Sequence, residues 1–296
     1  MNLLITGAWT DQYIKEIEEM GHKVVFLQQE KDALPCEYDW VEGVICNGLF
    51  LHHPVSRFSN LRFIQLTSAG YDRVPMEEIE ARDIEIHNAR GVYSIPMAEF
   101  AIAGVLDLYK DMARFRDQQK RHEWIKNRQI RELAGSRVVI VGCGSVGTEC
   151  AKRFKAFGCN VIGVDLMVRE DQDYDRISGL DRLDQELERA DIVVLTLPLT
   201  GENRGLIDRQ KLNLIKESGI LVNISRGGVI DQQALEEWKG AAVLDVFEEE
   251  PLEDGSFLWD RENMIVTPHN SFVGNRNETR LKEMVLENII KYSSGV

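Results

Sequence analysis

"RVVIVGCGSVGTECAKRFKAFGCNVIGVD", residues 137–165, decides the fold. It opens on an arginine and four strand-forming apolar residues, then runs through Gly142-x-Gly144-x-x-Gly147 into a helical pattern. A second apolar run, "NVIGV", ends on Asp165. The order is strand, tight turn, helix, strand. In such a unit Gly142 permits the turn, Gly144 lets a diphosphate approach the backbone, and Gly147 lets helix and strand pack closely. The helix start offers unpaired N–H groups to an anion. An acid about twenty residues on accepts hydrogen bonds from ribose hydroxyls and repels a 2′-phosphate, which favours NAD over NADP. Arg169, four residues further, is the nearby cation that could reach such a phosphate. A glycine turn serving packing alone, with Asp165 a solvated strand end, is the rival reading. Strand, helix and acid together favour a dinucleotide site.

Outward from this unit the rhythm repeats. "LLIT" (3–6), "VVFL" (24–27), "GVIC" (43–46), "FIQL" (63–66) and "IEIH" (84–87) are strand candidates with amphipathic stretches between them. "RVVIVG", "NVIGVD", "DIVVLTLP", "GILVNIS", "AAVLDVF" and "MIVTPH" form a second series. Alternating strands and helices predict an α/β protein with parallel sheets. Residues 96–115 read as one long helix, apolar nearly all round its middle, as suits a buried or subunit-facing helix. Residues 120–133 are polar and basic and read as a connector. "ETRLKEMVLENII" is a closing amphipathic helix.

Three strand ends downstream carry chemistry. Arg226 follows "LVNIS", the acids of "DVFEEEP" follow "AAVL", and His269 follows "MIVTP". Ligands of open parallel sheets bind beyond the carboxyl ends of strands. Arginine is a charged fork suited to a carboxylate, and histidine passes protons near neutral pH. Singly, each has a bland explanation: a solvated arginine, a surface acidic loop, a packed histidine. Together, beside a dinucleotide loop, they fit interconversion of a 2-keto acid and a 2-hydroxy acid.

Composition narrows the class. In 296 residues, 44% are apolar and 28% charged, which describes a globular chain of one large or two medium domains. The net charge of −14 argues against nucleic acid, since phosphate binding needs a basic face, but leaves room for a small anionic substrate in a locally positive pocket. No apolar run is long enough to span a membrane, and the start lacks a secretory pattern. Five cysteines without metal-ligand spacing read as reduced thiols of a cytoplasmic protein, with no metal site expected.

The sequence resembles the D-isomer-specific 2-hydroxyacid dehydrogenases. "TSAGYDRVP", "NARGVYSIPMAEFA", "LAGSRVVIVGCGSVG", "LPLTGENRGLID", "NISRGGVIDQQAL", "LDVFEEEPL" and "IVTPHNS" are similar, in order, to that family's motifs. The resemblance implies two Rossmann-like or flavodoxin-like doubly wound parallel-sheet domains with a cleft between them. Residues 1–95 plus 275–296 would form the substrate domain and residues 96–274 the NAD-binding domain. It implies Arg226 on the substrate carboxylate, His269 as acid/base and Glu250 polarising it, with Glu248 and Glu249 as alternatives. The connection "EEWKGAA" is shorter than the family's, which leaves that assignment open. Ser68, Ala69, Gly70 and Tyr93 would contact substrate. Leu49, Phe50, His52 and His53 would neighbour its side-chain pocket. Gly142, Gly144, Ser145, Val146, Gly147, Asp165, Leu197, Pro198, Ile224 and Asp245 would hold the cofactor. A homodimer through the NAD-binding domains is implied, without the regulatory C-terminal domain of longer phosphoglycerate dehydrogenases. Glyoxylate/hydroxypyruvate reductase, phosphoglycerate dehydrogenase and an NAD(H)-sensing corepressor-like binding protein are the alternative functions.

Overall fold

The computed structural model describes residues 1–294. The chain forms two compact units, Met1–Tyr93 with Gly274–Val296, and Ser94–Val273.

Unit 1 is built on β1 (Asn2–Thr6), β2 (Lys23–Leu27), β3 (Gly43–Cys46), β4 (Phe63–Leu66) and β5 (Glu85–His87). All neighbours pair in parallel, in the order β2-β1-β3-β4-β5, the flavodoxin-like arrangement. The strands are apolar on both faces because both faces are covered. Leu4, Val44 and Ile64 face a core roofed by loops and α2 (Met76–Ala81). Leu3, Ile5, Ile45 and Phe63 pack against α1 (Asp11–Glu19) and, late in the chain, Val285 and Ile289.

Unit 2 begins with α3 (Ser94–Lys110) and α4 (Met112–Lys120). The long helix expected over 96–115 is thus two helices. Asp111, at φ 54°, turns the backbone left-handed between them, and aspartate tolerates that conformation better than most residues. Next come β6 (Arg137–Val141), α5 (Ser145–Ala156), β7 (Asn160–Val164), β8 (Arg176–Ser178), α6 (Leu183–Arg189) and β9 (Ile192–Leu195). α7 (Arg209–Leu214), β10 (Ile220–Asn223), β11 (Ala241–Leu244) and β12 (Met264–Val266) complete it. The sheet is all parallel in the order β12-β11-β10-β9-β6-β7-β8, so strand order reverses between β6 and β9. That switch point is where open sheets of this kind bind ligands. Along β6, Val138 and Ile140 face α3 and α5, whereas Val139 and Val141 face α6 and α7. Each fully buried side chain of this kind contributes roughly 1.5–3 kcal/mol. Between β10 and β11 the short connection leaves no α-helix, only the 3-10 turns Gly227–Val229 and Gln232–Glu236. The last element of the described residues is α8 (Asn277–Ser294), which carries Val285 and Ile289 into unit 1.

Candidate active site

The glycine loop is shaped by what its neighbours leave no room for. Gly142 adopts φ 97°, and a side-chain carbon there would lie 2.8 Å from the Leu197 nitrogen. A side chain on Gly147 would overlap the Gly142 carbonyl oxygen. That oxygen also accepts from Thr196 Oγ1 at 2.6 Å, which ties the loop to the end of β9. At Gly144 a side-chain carbon would meet nothing within 4 Å. Gly144 is the N-cap of α5 and supplies no side-chain cap. Among the described residues the N–H groups of Ser145, Val146 and Gly147 have no acceptor, and the first helical bond runs from Thr148 N to Gly144 O. Open backbone donors beside a residue without a side chain fit a diphosphate. Asp165 fastens the loop from β7: Oδ2 accepts from Cys143 N at 2.6 Å and Oδ1 from Met167 N at 3.0 Å. Leu197 is half-buried against the loop, and Pro198, exposed, accepts from Asn203 Nδ2 at 2.6 Å.

Three adjacent strands, β10, β11 and β12, end in the other candidate residues. Arg226 is half-buried, and its Nη1 donates to Ser225 O at 2.8 Å. The turn beneath it is fixed by the fully buried Asn223, whose Nδ2 donates to Arg226 O at 3.0 Å and whose Oδ1 accepts from Ser225 N and Oγ. Gly227 has a steric reason: a side chain there would run into the backbone of Phe247 and Glu248. The arginine turn can therefore lie directly on the acidic turn. In that second turn Phe247 N donates to Glu250 Oε1 at 3.0 Å, and Glu250 Oε2 meets His269 Nδ1 at 2.7 Å. Glu250 faces the imidazole, whereas Glu248 is turned to the Gln232 N–H at 3.3 Å. His269 sits at φ 49°, a costly conformation for a residue with a side chain, and such strain clusters at functional sites. Its ring is 40% exposed, so the nitrogen not facing Glu250 remains reachable.

Two expected cofactor residues have other surroundings. Asp245 is fully buried, and its carboxylate accepts from Thr267 Oγ1 at 2.6 Å and from Asn270 N and Ser271 N at 2.8 Å each. Its carbonyl accepts from His269 N at 2.8 Å. It builds the turn that holds His269 in its strained conformation. Ile224 is 1% exposed and belongs to the core. Asn223, missed in the sequence, carries a readable signal: an amide at the end of an otherwise apolar strand.

In unit 1, the N–H groups of Ser68, Ala69 and Gly70 have no acceptor among the described residues. The loop is braced by Ser68 Oγ on Gly70 O at 3.2 Å, Asn88 Nδ2 on Ala69 O at 2.7 Å and the Tyr93 hydroxyl on Thr67 O. Leu49 and His53, expected to neighbour the substrate's side-chain pocket, are held within unit 1. Leu49 is in the core, and buried His53 spends one ring nitrogen on Tyr38 OH and the other on the Glu30 and Asp32 carbonyls. No helix among the described residues is long and apolar enough to cross a membrane.

The family described as D-isomer specific 2-hydroxyacid dehydrogenase, NAD binding domain, matches residues 102–271. A D-3-phosphoglycerate dehydrogenase of Methanocaldococcus jannaschii is 30% identical over the whole chain, which spans 58% of that relative's length. A glyoxylate reductase of Korarchaeum cryptofilum is 33% identical over 79% of this chain and 74% of its own. The solved D-isomer specific 2-hydroxyacid dehydrogenase family protein of Aeromonas salmonicida superposes with a TM-score of 0.84 at 28% identity, covering 99% of this chain and 96% of that one.

Proposed function

The chain belongs to the D-isomer specific 2-hydroxyacid dehydrogenase family, and we propose that it interconverts a small 2-keto acid and the corresponding D-2-hydroxy acid with NAD(H). The observation that carries this reading is the Glu250–His269 contact of 2.7 Å, beside the Arg226 turn on the sheet edge that also bears the glycine loop. Residues 142–147 would hold the nicotinamide cofactor, whose chemistry would be to supply or accept the hydride. Arg226 binds the substrate carboxylate as a bidentate fork and orients the carbonyl. His269, its Nδ1 fixed by Glu250, gives a proton from Nε2 to the carbonyl oxygen in reduction and takes it back in oxidation. Glu250 positions the ring and offsets the charge it carries. The open N–H groups of residues 68–70 suit a carboxylate as well.

An NAD(H)-sensing binding protein would need the loop and Asp165 but not a strained histidine paired with an acid, and so the enzymatic reading is preferred. In the same reading the chain is a homodimer through unit 2. After α4, Trp124 is 95% exposed, with Ile125 at 53% and Ile130 at 43%, and bare aromatic and aliphatic groups of this kind mark subunit contacts.

The test is a panel of 2-keto acids, with glyoxylate, hydroxypyruvate and phosphohydroxypyruvate among them, followed by loss of NADH absorbance. On the best substrate His269→Ala and Arg226→Ala should each lose roughly 10²–10⁴-fold in turnover, with NADH binding retained. Wild-type turnover in both variants would overturn the reading. Light scattering should give a dimer that Trp124→Glu splits.

A further inference from the structure

One buried polar group of unit 2 has no place in the reading above. Tyr174, between β7 and β8, is 5% exposed and belongs to the core on the α3 and α5 side of the sheet. Its backbone is pinned. Tyr174 N donates to Asp171 O at 3.1 Å, and its neighbour Asp175 donates its N–H to Val161 O at 2.8 Å and accepts from Val161 N at 2.7 Å. The tyrosine ring lies over Gly163 of β7, where a side-chain carbon would come within 3.0 Å of Tyr174 Cδ1. A glycine inside an otherwise apolar strand thus makes room for this ring. The hydroxyl ends beneath the first turn of α5. A side-chain carbon on Gly147 would lie 3.1 Å from it and 3.0 Å from Thr196 Oγ1.

That hydroxyl is shut off from solvent and has no hydrogen-bond partner among the described residues. Thr148 and the Cys143 thiol flank it, neither in hydrogen-bond geometry. Thr196 Oγ1 is already spent on Gly142 O at 2.6 Å. Burial pushes the phenol's pKa up, so the group keeps its proton and remains a donor. A buried donor left unpaired loses its hydration without return, and phenylalanine would fill the same space without that loss. Such a group calls for a role. What it faces is the start of a helix whose first N–H groups stand open to an anion.

We propose that Tyr174 is a positioning residue for the dinucleotide. Its hydroxyl is unpaired in the free chain and takes the Thr148 hydroxyl as partner when a diphosphate draws the first turn of α5 toward itself. Part of the affinity then arises behind the loop, at a group that never touches the ligand. The proposal rests on the glycine loop being the dinucleotide site, and the test separates the two. NADH is titrated by its fluorescence into the wild type, Tyr174→Phe, Thr148→Val and the double variant, and thermal unfolding of each is followed without cofactor. Tyr174→Phe should bind NADH about three- to tenfold more weakly, the worth of one hydrogen bond, while unfolding at or above the wild-type temperature. Thr148→Val should show the same loss of affinity, and the double variant no more than either single one. Unchanged NADH affinity in Tyr174→Phe overturns the proposal. Earlier unfolding alongside the loss, which would make the hydroxyl a brace of the fold, overturns it too, as do losses that add in the double variant. A wild type that binds no NADH would instead sink the dinucleotide reading beneath it.

Discussion

The chain makes the same first turn twice and finishes it in two ways. In unit 1, β1 leads to Gly7 at φ 95°, and α1 starts at Asp11. In unit 2, β6 leads to Gly142 at φ 97°, and α5 starts at Ser145. Each turn sits where strand order reverses in its sheet. Unit 1 caps the third N–H of its own helix start. The Thr10 side chain accepts from Tyr13 N at 3.4 Å, Trp9 Nε1 donates to Thr6 O at 2.8 Å, and the Trp9 ring stacks on Tyr13 at 4.8 Å. Unit 2 puts glycine at the corresponding cap, and its first helical N–H groups find no acceptor among the described residues. A shared fold offers the position; the residues decide whether it is filled from within or kept for a ligand.

The largest expected effect comes from filling the open turn. Gly144→Val places its β-carbon where no neighbouring group lies within 4 Å, so the unit should fold normally. NADH affinity, read by fluorescence titration, should fall about a hundredfold, roughly 2.7 kcal/mol. Unchanged affinity would erase the distinction between the two turns.

A smaller effect separates the units by acid. Glu186 in unit 2 is buried, with Arg137 Nη2 on one carboxylate oxygen at 2.6 Å and Arg176 on the other. Burial alone would push its carboxyl up. The hydrogen bonds and charges of the two arginines outweigh that and hold it below the ordinary glutamate range. A carboxyl lowered on folding stabilises above its unfolded value and loses that contribution as pH falls through the folded one. Thermal unfolding from pH 7 to 3 should therefore show a loss of stability that is blunted in Glu186→Gln, a variant already weaker at pH 7. Parallel curves for the two proteins would remove Glu186 from this role.

The smallest effect is the mirror of the first. Thr10→Ala removes the cap of unit 1 and should cost about 1 kcal/mol of stability by denaturant unfolding. It should leave NADH affinity untouched. A loss of affinity would place the ligand at the wrong turn.

The strands were legible because parallel sheets covered on both faces demand unbroken apolar runs, and "RVVIV", "DIVVL" and "GILVN" are such runs. β8, Arg176–Ser178, escaped notice as a three-residue edge strand with polar ends. The break at Asp111 escaped as well, because neither glycine nor proline marks it. Arg226, Glu250 and His269 stood out as charged or titratable groups at strand ends. The contacts that orient them did not, since they depend on proximity across the chain. Gly227 against Phe247, Asp245 under the His269 turn and the choice of Glu250 over Glu248 are all of this kind. His53 shows the converse: the sequence marks the polar residue, but not that its two ring nitrogens are engaged by Tyr38, Glu30 and Asp32.

The most direct measurement is a crystal structure of the chain grown with NADH. The expected result is a diphosphate lying against the N–H groups of Ser145, Val146 and Gly147, with the turn of Thr10 and Trp9 bare. A dinucleotide seated on that Thr10 turn, or bound away from residues 142–147, would contradict it.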